Sequence, residues 1–339
     1  MTRETLYQRA TAEMREITHD LLELSEATSS FTSPPDEVWK DEASTRFLLG
    51  GLGYPSSPIT PLDNRKNAWL ARSAQDFNIE LAATEVLYER LQPFIDSMIE
   101  AAYAETRNFS EAKAEWIREN AHLLPVVMHA VGIFSKQALS NRIGSVSDTK
   151  ISRPASERFE AFISEVGPEA IATPEQTRER IKTTTEGIVR DLVGRLLLEE
   201  FVASSLTEMG VPFKRESEYA SLPGVVYDFR ADFVIPDEHE PLAFVEVRKS
   251  SARHSSLYAK DKMFSAINWK GRHEHCLGII VVDGFWSETS LDVMSRVFDY
   301  VVPIGRAGEV AKAIRRYLDG DKSVLQWLIG FRIERYTGS

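Results

Sequence analysis

Short apolar segments alternate with helical segments in the last third of the chain, and this alternation constrains the fold more than any other feature. Residues 242–248, 277–282 and 300–304 have the length and composition of buried strands, and stretches with helical spacing separate them. Strands that alternate with helices favour parallel pairing, because each helix provides the crossover between neighbouring strands. This part of the chain therefore predicts a sheet flanked by helices.

Two more β-rich segments, residues 216–220 and 224–235, come before this alternation. A long helical stretch precedes them, and Thr173, Pro174 and Gln176 mark its beginning as an N-cap, a first-turn proline and a capping-box partner. The predicted order from this helix onward is helix, three-strand meander, helix, strand, helix, strand, helix. The fold class expected for this part is α+β or α/β.

The first half of the chain is mostly helical in pattern. Residues 67–105 show helical apolar spacing, and Pro93 within them predicts two helices that meet near this proline. A chain of 339 residues is long enough for two domains. The change of character at Thr173 predicts a helical domain over 1–172, for dimerisation or DNA recognition or both, and a second domain over 173–339.

The cellular compartment is constrained by cysteine content and by hydropathy. Cys276 is the one cysteine, so an internal disulfide cannot form, and a core position at the start of a strand is expected for it. The first twenty residues contain no apolar stretch typical of a signal peptide, and no apolar run is long enough to span a membrane. We therefore expect a cytoplasmic protein without membrane association.

Two acidic residues interrupt segments that are otherwise apolar. Asp232 lies in the β-rich stretch 224–235, and Glu246 lies within the next predicted strand. A carboxylate inside a buried strand is costly unless it is paired or binds a metal. A hairpin turn over residues 236–241 brings these two carboxylates together, where a cation between them relieves their repulsion. Hard oxygen ligands suit Mg²⁺, so the predicted metal ligands are Asp232 and Glu246.

Asp232 followed by Glu246, Arg248 and Lys249 resembles the PD-(D/E)XK nuclease superfamily, the fold of most type II restriction endonucleases. The resemblance covers residues 186–318 and includes the first core helix, where Glu199 or Glu200 is the acidic candidate near the metal; we take Glu200 as the catalytic one. It implies a Mg²⁺-dependent endodeoxyribonuclease of a restriction–modification system that cuts double-stranded DNA at a specific short site.

The third position of this motif departs from the family pattern. The family has lysine two residues after the glutamate, whereas this chain has Arg248 there and Lys249 one residue later. Alternation along a strand places Glu246 and Arg248 on one face and Lys249 on the other. Arg248 is therefore the first candidate for charge stabilisation, with Lys249 second; a lysine of the following helix, Lys260 or Lys262, is the remaining alternative.

Basic residues are concentrated directly after this motif. The chain carries a net charge of −11, yet residues 248–272 contain seven basic residues and one acidic residue. The local field near the phosphates governs DNA binding, so such a stretch outweighs the overall charge. The side chains expected to contact DNA are Arg253, Ser255, Lys260, Lys262 and Lys270; a solvated helix face is the alternative.

Two other functions compete with a nuclease. Arg248 in place of lysine is compatible with a catalytically silent nuclease fold that binds DNA without cutting it. The acidic first half is compatible with a helical interaction module that has no nucleic-acid role. Cutting both strands of a symmetric site requires two active sites, so a C2 homodimer is expected. The apolar stretch 123–133 is either part of its interface or core of the helical domain.

Overall fold

A computed structural model describes residues 4–54, 62–250, 255–330 and 333–334. The protein has an α+β fold, about 60% helical, with a mixed five-stranded sheet in its C-terminal half. The chain divides into two compact units, Met1–Val193 and Gly194–Ser339. The boundary expected from the sequence, between residues 172 and 173, lies earlier in the chain.

The first unit is built from helices. They are α1 (Leu6–Ala27), α2 (Glu42–Gly50), α3 (Leu62–Arg72), α4 (Ile79–Glu105), α5 (Ala114–Glu119), α6 (Leu124–Ala130), α7 (Lys136–Ile143), α8 (Arg153–Val166) and α9 (Pro174–Leu192). A short hairpin of β1 (Val146–Ser147) and β2 (Lys150–Ile151) lies between α7 and α8. Helices α1, α2 and α9 pack against α4, whose apolar residues are buried along its whole length.

The expectation of two helices meeting at Pro93 is wrong, because α4 continues through this proline. Proline removes one backbone hydrogen bond and strains the preceding turn. Leu87, Leu91, Ile95 and Ile99 are nevertheless buried on both sides of it. Packing of this stripe against the neighbouring helices offsets the local cost, as tertiary contacts often do for unfavourable helix residues. The capping box of Thr173 and Gln176 at the start of α9 is present as predicted.

In the second unit, helices separate the last three strands as predicted, but the strand predicted over residues 216–220 is not formed: Glu216–Glu218 is a 3-10 turn, and the first strand lies just before it. A π-helical segment, Val193–Leu198, precedes α10 (Glu199–Glu208). The remaining elements are β3 (Lys214–Arg215), β4 (Phe233–Ile235), β5 (Ala243–Ser250), α11 (Ser255–Lys270), β6 (Leu277–Gly284), α12 (Glu288–Met294), β7 (Tyr300–Pro303) and α13 (Ala307–Leu318). The sheet has the order β3-β4-β5-β6-β7. Its first three strands pair antiparallel and its last three pair parallel.

The strand predicted over residues 224–235 is much shorter in the structure, which shows only β4 there. The N–H groups of Val226 and Tyr227 donate to the side-chain oxygen of Asn268 rather than to a neighbouring strand. Leu222 and Phe229 form an isolated antiparallel bridge. This part of the chain is therefore a loop fastened to α11, and β-propensity alone could not distinguish it from a strand.

The core of the second unit lies between the sheet and α11. Phe244 of β5 meets Trp269 of α11 edge to face, with ring centroids 4.3 Å apart, and Ile280 of β6 belongs to the same buried cluster. Cys276 is buried at the start of β6, and burial raises the pKa of its thiol to about 12. A thiol of this kind is inert and fills space, as expected from the sequence.

Across the described residues, no helix combines the length and the apolar composition that crossing a membrane requires.

Candidate active site on strands β4 and β5

The two predicted metal ligands lie side by side at the β4–β5 pair. Strand register aligns Phe233 with Val245 in an antiparallel ladder, so Asp232, one residue earlier, lies opposite Glu246. Asp232 precedes β4 rather than lying within it, and its Oδ2 accepts a hydrogen bond of 2.6 Å from the N–H of Val247. Both carboxylates are buried, with relative exposures of 4% and 0%. The hairpin predicted from the sequence thus brings them together.

Arg248 connects the two carboxylates. Its Nη1 lies 3.2 Å from Asp232 Oδ2, and its Nη2 lies 2.9 Å from Glu246 Oε2. Glu246 and Arg248 therefore share a strand face, as period-two alternation requires. Lys249, the next residue, is half-buried. On this geometry, Arg248 is the cation of β5 that faces the acidic pair.

A second cation reaches the site from α11. Lys262, only 6% exposed, places its Nζ 2.9 Å from Glu246 Oε2 and 5.1 Å from the ring centre of Phe229. The expectation that Lys262 contacts DNA is therefore corrected, because its side chain points into the carboxylate pair. This is the place considered for a helix lysine as the alternative to Arg248 and Lys249. The sequence contains the signal: Ala259, Ala266 and Trp269 are three, four and seven residues away, so these side chains share the buried helix face.

Burial makes the carboxyl group of Glu246 unusual. Loss of hydration and the neighbouring Asp232 raise its pKa to about 7, although Arg248 and Lys262 oppose this shift. In the described part of the chain, neither of its side-chain oxygens accepts a well-directed hydrogen bond; the two cations contact Oε2 as ion pairs only. A buried polar atom without a hydrogen bond calls for an explanation such as a bound ion.

The two helix glutamates have different surroundings. Glu200, our candidate for catalysis, forms a bidentate ion pair with Arg215, at 2.5 and 2.8 Å. Burial, followed by the charge of Asp232, raises the pKa of Glu199 to about 8, while Arg248 lowers it. Glu199 is therefore the helix glutamate that interacts electrostatically with Asp232 and Arg248, whereas Glu200 is paired with Arg215. The sequence spacing contains this information: Val202 and Leu206, three and seven residues after Glu199, are buried, so Glu199 lies on the buried face of the helix.

The carboxylate pair fits a magnesium ion better than a transition metal. Within the described residues, no group of three or more histidine, cysteine, aspartate or glutamate side chains is arranged to hold a metal. Mg²⁺ needs fewer protein ligands, because it retains several waters and typically takes one or two carboxylates together with phosphate oxygens. Asp232 and Glu246 could supply this set, since Oε1 of Glu246 has no hydrogen-bond partner among the described residues.

Only part of the predicted basic stripe faces solvent. Lys260 is exposed, Ser255 is buried at the start of α11, and Arg253 lies outside the described residues. Lys270 is fully buried, and its Nζ pairs with Asp299 at 2.5 Å. The expectation that Lys270 contacts DNA is therefore corrected: this lysine belongs to the core, because a buried carboxylate is held there.

Asp299 and Lys270 form a buried structural pair that the sequence analysis missed. Asp299 also accepts hydrogen bonds from the N–H groups of Gly278, Gln326 and Trp327. It thereby links the start of β6 with the segment that follows α13. A polar group this deep in the core is expected to stabilise the fold only while every partner is present.

Replacing Lys270 with alanine should lower the free energy of unfolding by about 3–5 kcal/mol, because it leaves the Asp299 carboxylate buried without its cation. Urea unfolding followed by far-UV circular dichroism measures the change. The matched control is Lys260→Ala on the same helix, where an exposed lysine should change stability by about 0.5 kcal/mol or less. A similar small effect in both variants would contradict the structural role of the pair.

No protein-family model, no curated protein and no solved structure matches this chain.

Proposed function

We propose that this protein is a Mg²⁺-dependent endodeoxyribonuclease of the PD-(D/E)XK type that cuts double-stranded DNA at a specific short site, as a type II restriction enzyme does. The observation that carries the proposal is the buried pair Asp232 and Glu246, joined by Arg248 across the β4–β5 hairpin. These carboxylates differ from the structural Lys270–Asp299 pair, because Glu246 accepts no hydrogen bond from the described residues, whereas Asp299 accepts three from backbone N–H groups. The Asp232–Glu246 pair is the arrangement expected for binding a cation and a phosphate.

Each side chain then has a distinct task. Asp232 and Glu246 would hold the ion, which would supply an activated water and stabilise charge on the phosphodiester. The N–H of Val247 fixes the orientation of the Asp232 carboxylate. Arg248 presents a planar group that stays charged and can share its hydrogen bonds between a carboxylate and a phosphate. Lys262 provides the ammonium that the family pattern places on the strand.

A catalytically silent DNA-binding protein is the second candidate, and one observation favours it. Glu246 is already contacted by two cations, so its charge is balanced within the protein itself. A site of this kind persists without any metal. Under this alternative, the protein binds DNA with the same basic residues but leaves the phosphodiester intact.

Nicking of supercoiled plasmid DNA in Mg²⁺, with EDTA as the control, separates these two candidates. Cleavage that depends on Mg²⁺, followed by sequencing of the ends, would support the nuclease and give its site. Salt-sensitive retention of DNA without any cleavage would support the silent alternative. Absence of both would reject a role on DNA. Light scattering tests the proposed C2 homodimer, which a symmetric cut requires.

Lys260→Ala should weaken DNA binding uniformly across sequences and reduce the slope of log K against log salt by about one unit, because one phosphate contact is lost. Lys260 is the exposed lysine of α11, whereas Lys262 and Lys270 are buried. Fluorescence anisotropy over a series of salt concentrations measures the slope. Lys322→Ala, at an exposed lysine outside α11, is the control, and an unchanged slope in Lys260→Ala would show that α11 presents only a solvated face.

A further inference from the structure

An exposed aromatic ring lies on α11 outside the acidic pair. Phe264 is 51% exposed, and other large apolar side chains of α11, such as Leu257 and Tyr258, are exposed as well. What distinguishes Phe264 is its partner. Its inner face is not bare: the ring of Tyr227 stacks against it, with centroids 5.8 Å apart and planes 19° from parallel. Phe264 therefore has one face supported by a second ring, and its large exposed fraction leaves apolar surface open to solvent.

Tyr227 is held rigidly beneath this ring. Asn268, which is fully buried, accepts from the N–H groups of Val226 and Tyr227 and donates to the carbonyl of Tyr227 at 2.8 Å. A side chain at Gly224 would collide with the Asn268 amide, so the loop can approach α11 this closely only with glycine there. The backbone carbonyl of Asn268 also accepts from the N–H of Val225, and the Tyr227 hydroxyl lies 3.3 Å from Ser265 Oγ. The loop is thus fastened to α11 at several points, so little conformational freedom is lost when a ligand contacts the ring pair.

Aromatic contacts lead from the exposed ring to the carboxylates. Tyr227 meets Phe229 edge to face, with centroids 5.9 Å apart. The Phe229 ring in turn lies 5.1 Å from Lys262 Nζ, and Lys262 pairs with Glu246 at 2.9 Å. Phe264 is thus the solvent end of a continuous row of side chains whose other end is the candidate active site.

Exposed charges of both signs lie beside Phe264: Asp261 is three residues before it and Lys260 four residues before it, so both share its side of α11. Lys260 is the side chain of this pair that can contact a phosphate. An exposed ring next to a basic side chain is the combination by which proteins bind a nucleic-acid strand: the ammonium meets a phosphate and the ring meets the flat face of a base.

We propose that Phe264, supported by Tyr227, stacks on a nucleobase that has left the base stack of the DNA bound at the Asp232–Glu246 site. The inference rests on the proposed nuclease function and adds to it that the bound DNA is opened locally. A base inside an intact duplex has both faces covered by its neighbours, so stacking on Phe264 requires that at least one neighbour be displaced.

The test compares a short single-stranded oligodeoxynucleotide with an abasic strand of the same length, which carries the phosphates but no bases. Fluorescence anisotropy in EDTA gives both affinities without cleavage. Phe264→Ala should weaken binding of the normal strand about 5- to 150-fold, the loss that follows from removing one base–aromatic contact. Binding of the abasic strand should not change in Phe264→Ala. The separate variant Phe264→Trp should keep the wild-type affinity for the normal strand.

Lys260→Ala is the matched control, because loss of a phosphate contact weakens binding of both strands equally. An equal loss for both strands in Phe264→Ala, or no loss for either, would overturn the stacking proposal while DNA cleavage by the wild-type protein still stands. A change from dimer to monomer in Phe264→Ala, without any dependence on bases, would instead assign the ring to a contact between two copies. If the wild-type protein nicks plasmid DNA but binds neither strand at low salt, the stacking inference fails and the nuclease function stands; if it also neither binds nor nicks plasmid DNA, both fail.

Discussion

Asp232→Ala and Glu246→Ala are each expected to abolish Mg²⁺-dependent cleavage of plasmid DNA while DNA binding stays the same or becomes tighter. Each substitution removes one of the two oxygen ligands proposed for the ion, and with it the activation of water at the phosphodiester. It also removes a negative charge that repels phosphate. Plasmid nicking and fluorescence anisotropy measure the two effects separately.

The two variants carry different structural costs, which the controls must separate from catalysis. Asp232 Oδ2 accepts the N–H of Val247, so alanine leaves a buried donor without a partner. Asp232→Asn retains an oxygen acceptor for this N–H but lacks the charge, and it should be as inactive as Asp232→Ala. Loss of Glu246 leaves Arg248 and Lys262 in a buried site without their shared anion, which costs stability. Near-normal nicking in a folded Asp232→Asn would remove the basis of the metal-site proposal.

The parallel part of the sheet could be predicted from sequence because its strands are short, apolar and bounded by turn residues, whereas the polar strand β3 was not predicted. Residues 277–282 and 300–304 correspond closely to β6 and β7. The loop before β4 could not be predicted, because the backbone of Val226 bonds to a side chain 42 residues later in the chain. No local pattern carries such long-range information. The prediction of a helix break at Pro93 failed for the same reason: α4 continues through the proline because its apolar residues on both sides are buried by tertiary packing.

The candidate site was predictable where strand alternation governs it and less so where helices contribute. Period-two alternation correctly placed Arg248 on the face of Glu246. On α11, charge alone suggested that Lys262 and Lys270 lie at the surface, although both are buried beside a carboxylate. A lysine on an apolar helix face is a sign of a buried acidic partner, and Asp299, the partner of Lys270, comes from a distant segment. Charge counts along a sequence cannot supply that partner.

Arg248→Ala and Lys262→Ala are each expected to reduce the rate of DNA cleavage by about 10²- to 10³-fold, the effect of removing one preorganised donor from a site of developing charge. Lys249→Ala should cost less, because Lys249 follows Arg248 on the strand and alternation turns its side chain to the other face. Single-turnover nicking at saturating enzyme isolates this loss from weaker DNA binding.

Conservative replacements show what each cation does. The substitution Arg248→Lys introduces the residue type that is usual at this position in the nucleases that the motif resembles, and it should retain much of the activity if only positive charge is needed there. Lys262→Arg should abolish cleavage. The side chain of Lys262 is only 8% exposed where its Nζ reaches Glu246, so a larger guanidinium would be overpacked there. Since Lys262 lies against Glu246, thermal unfolding must accompany each rate. If Lys249→Ala is inactive and Arg248→Ala is nearly as active as the wild type, β5 presents its other face to the DNA. The roles assigned to Arg248 and Lys249 would then be wrong.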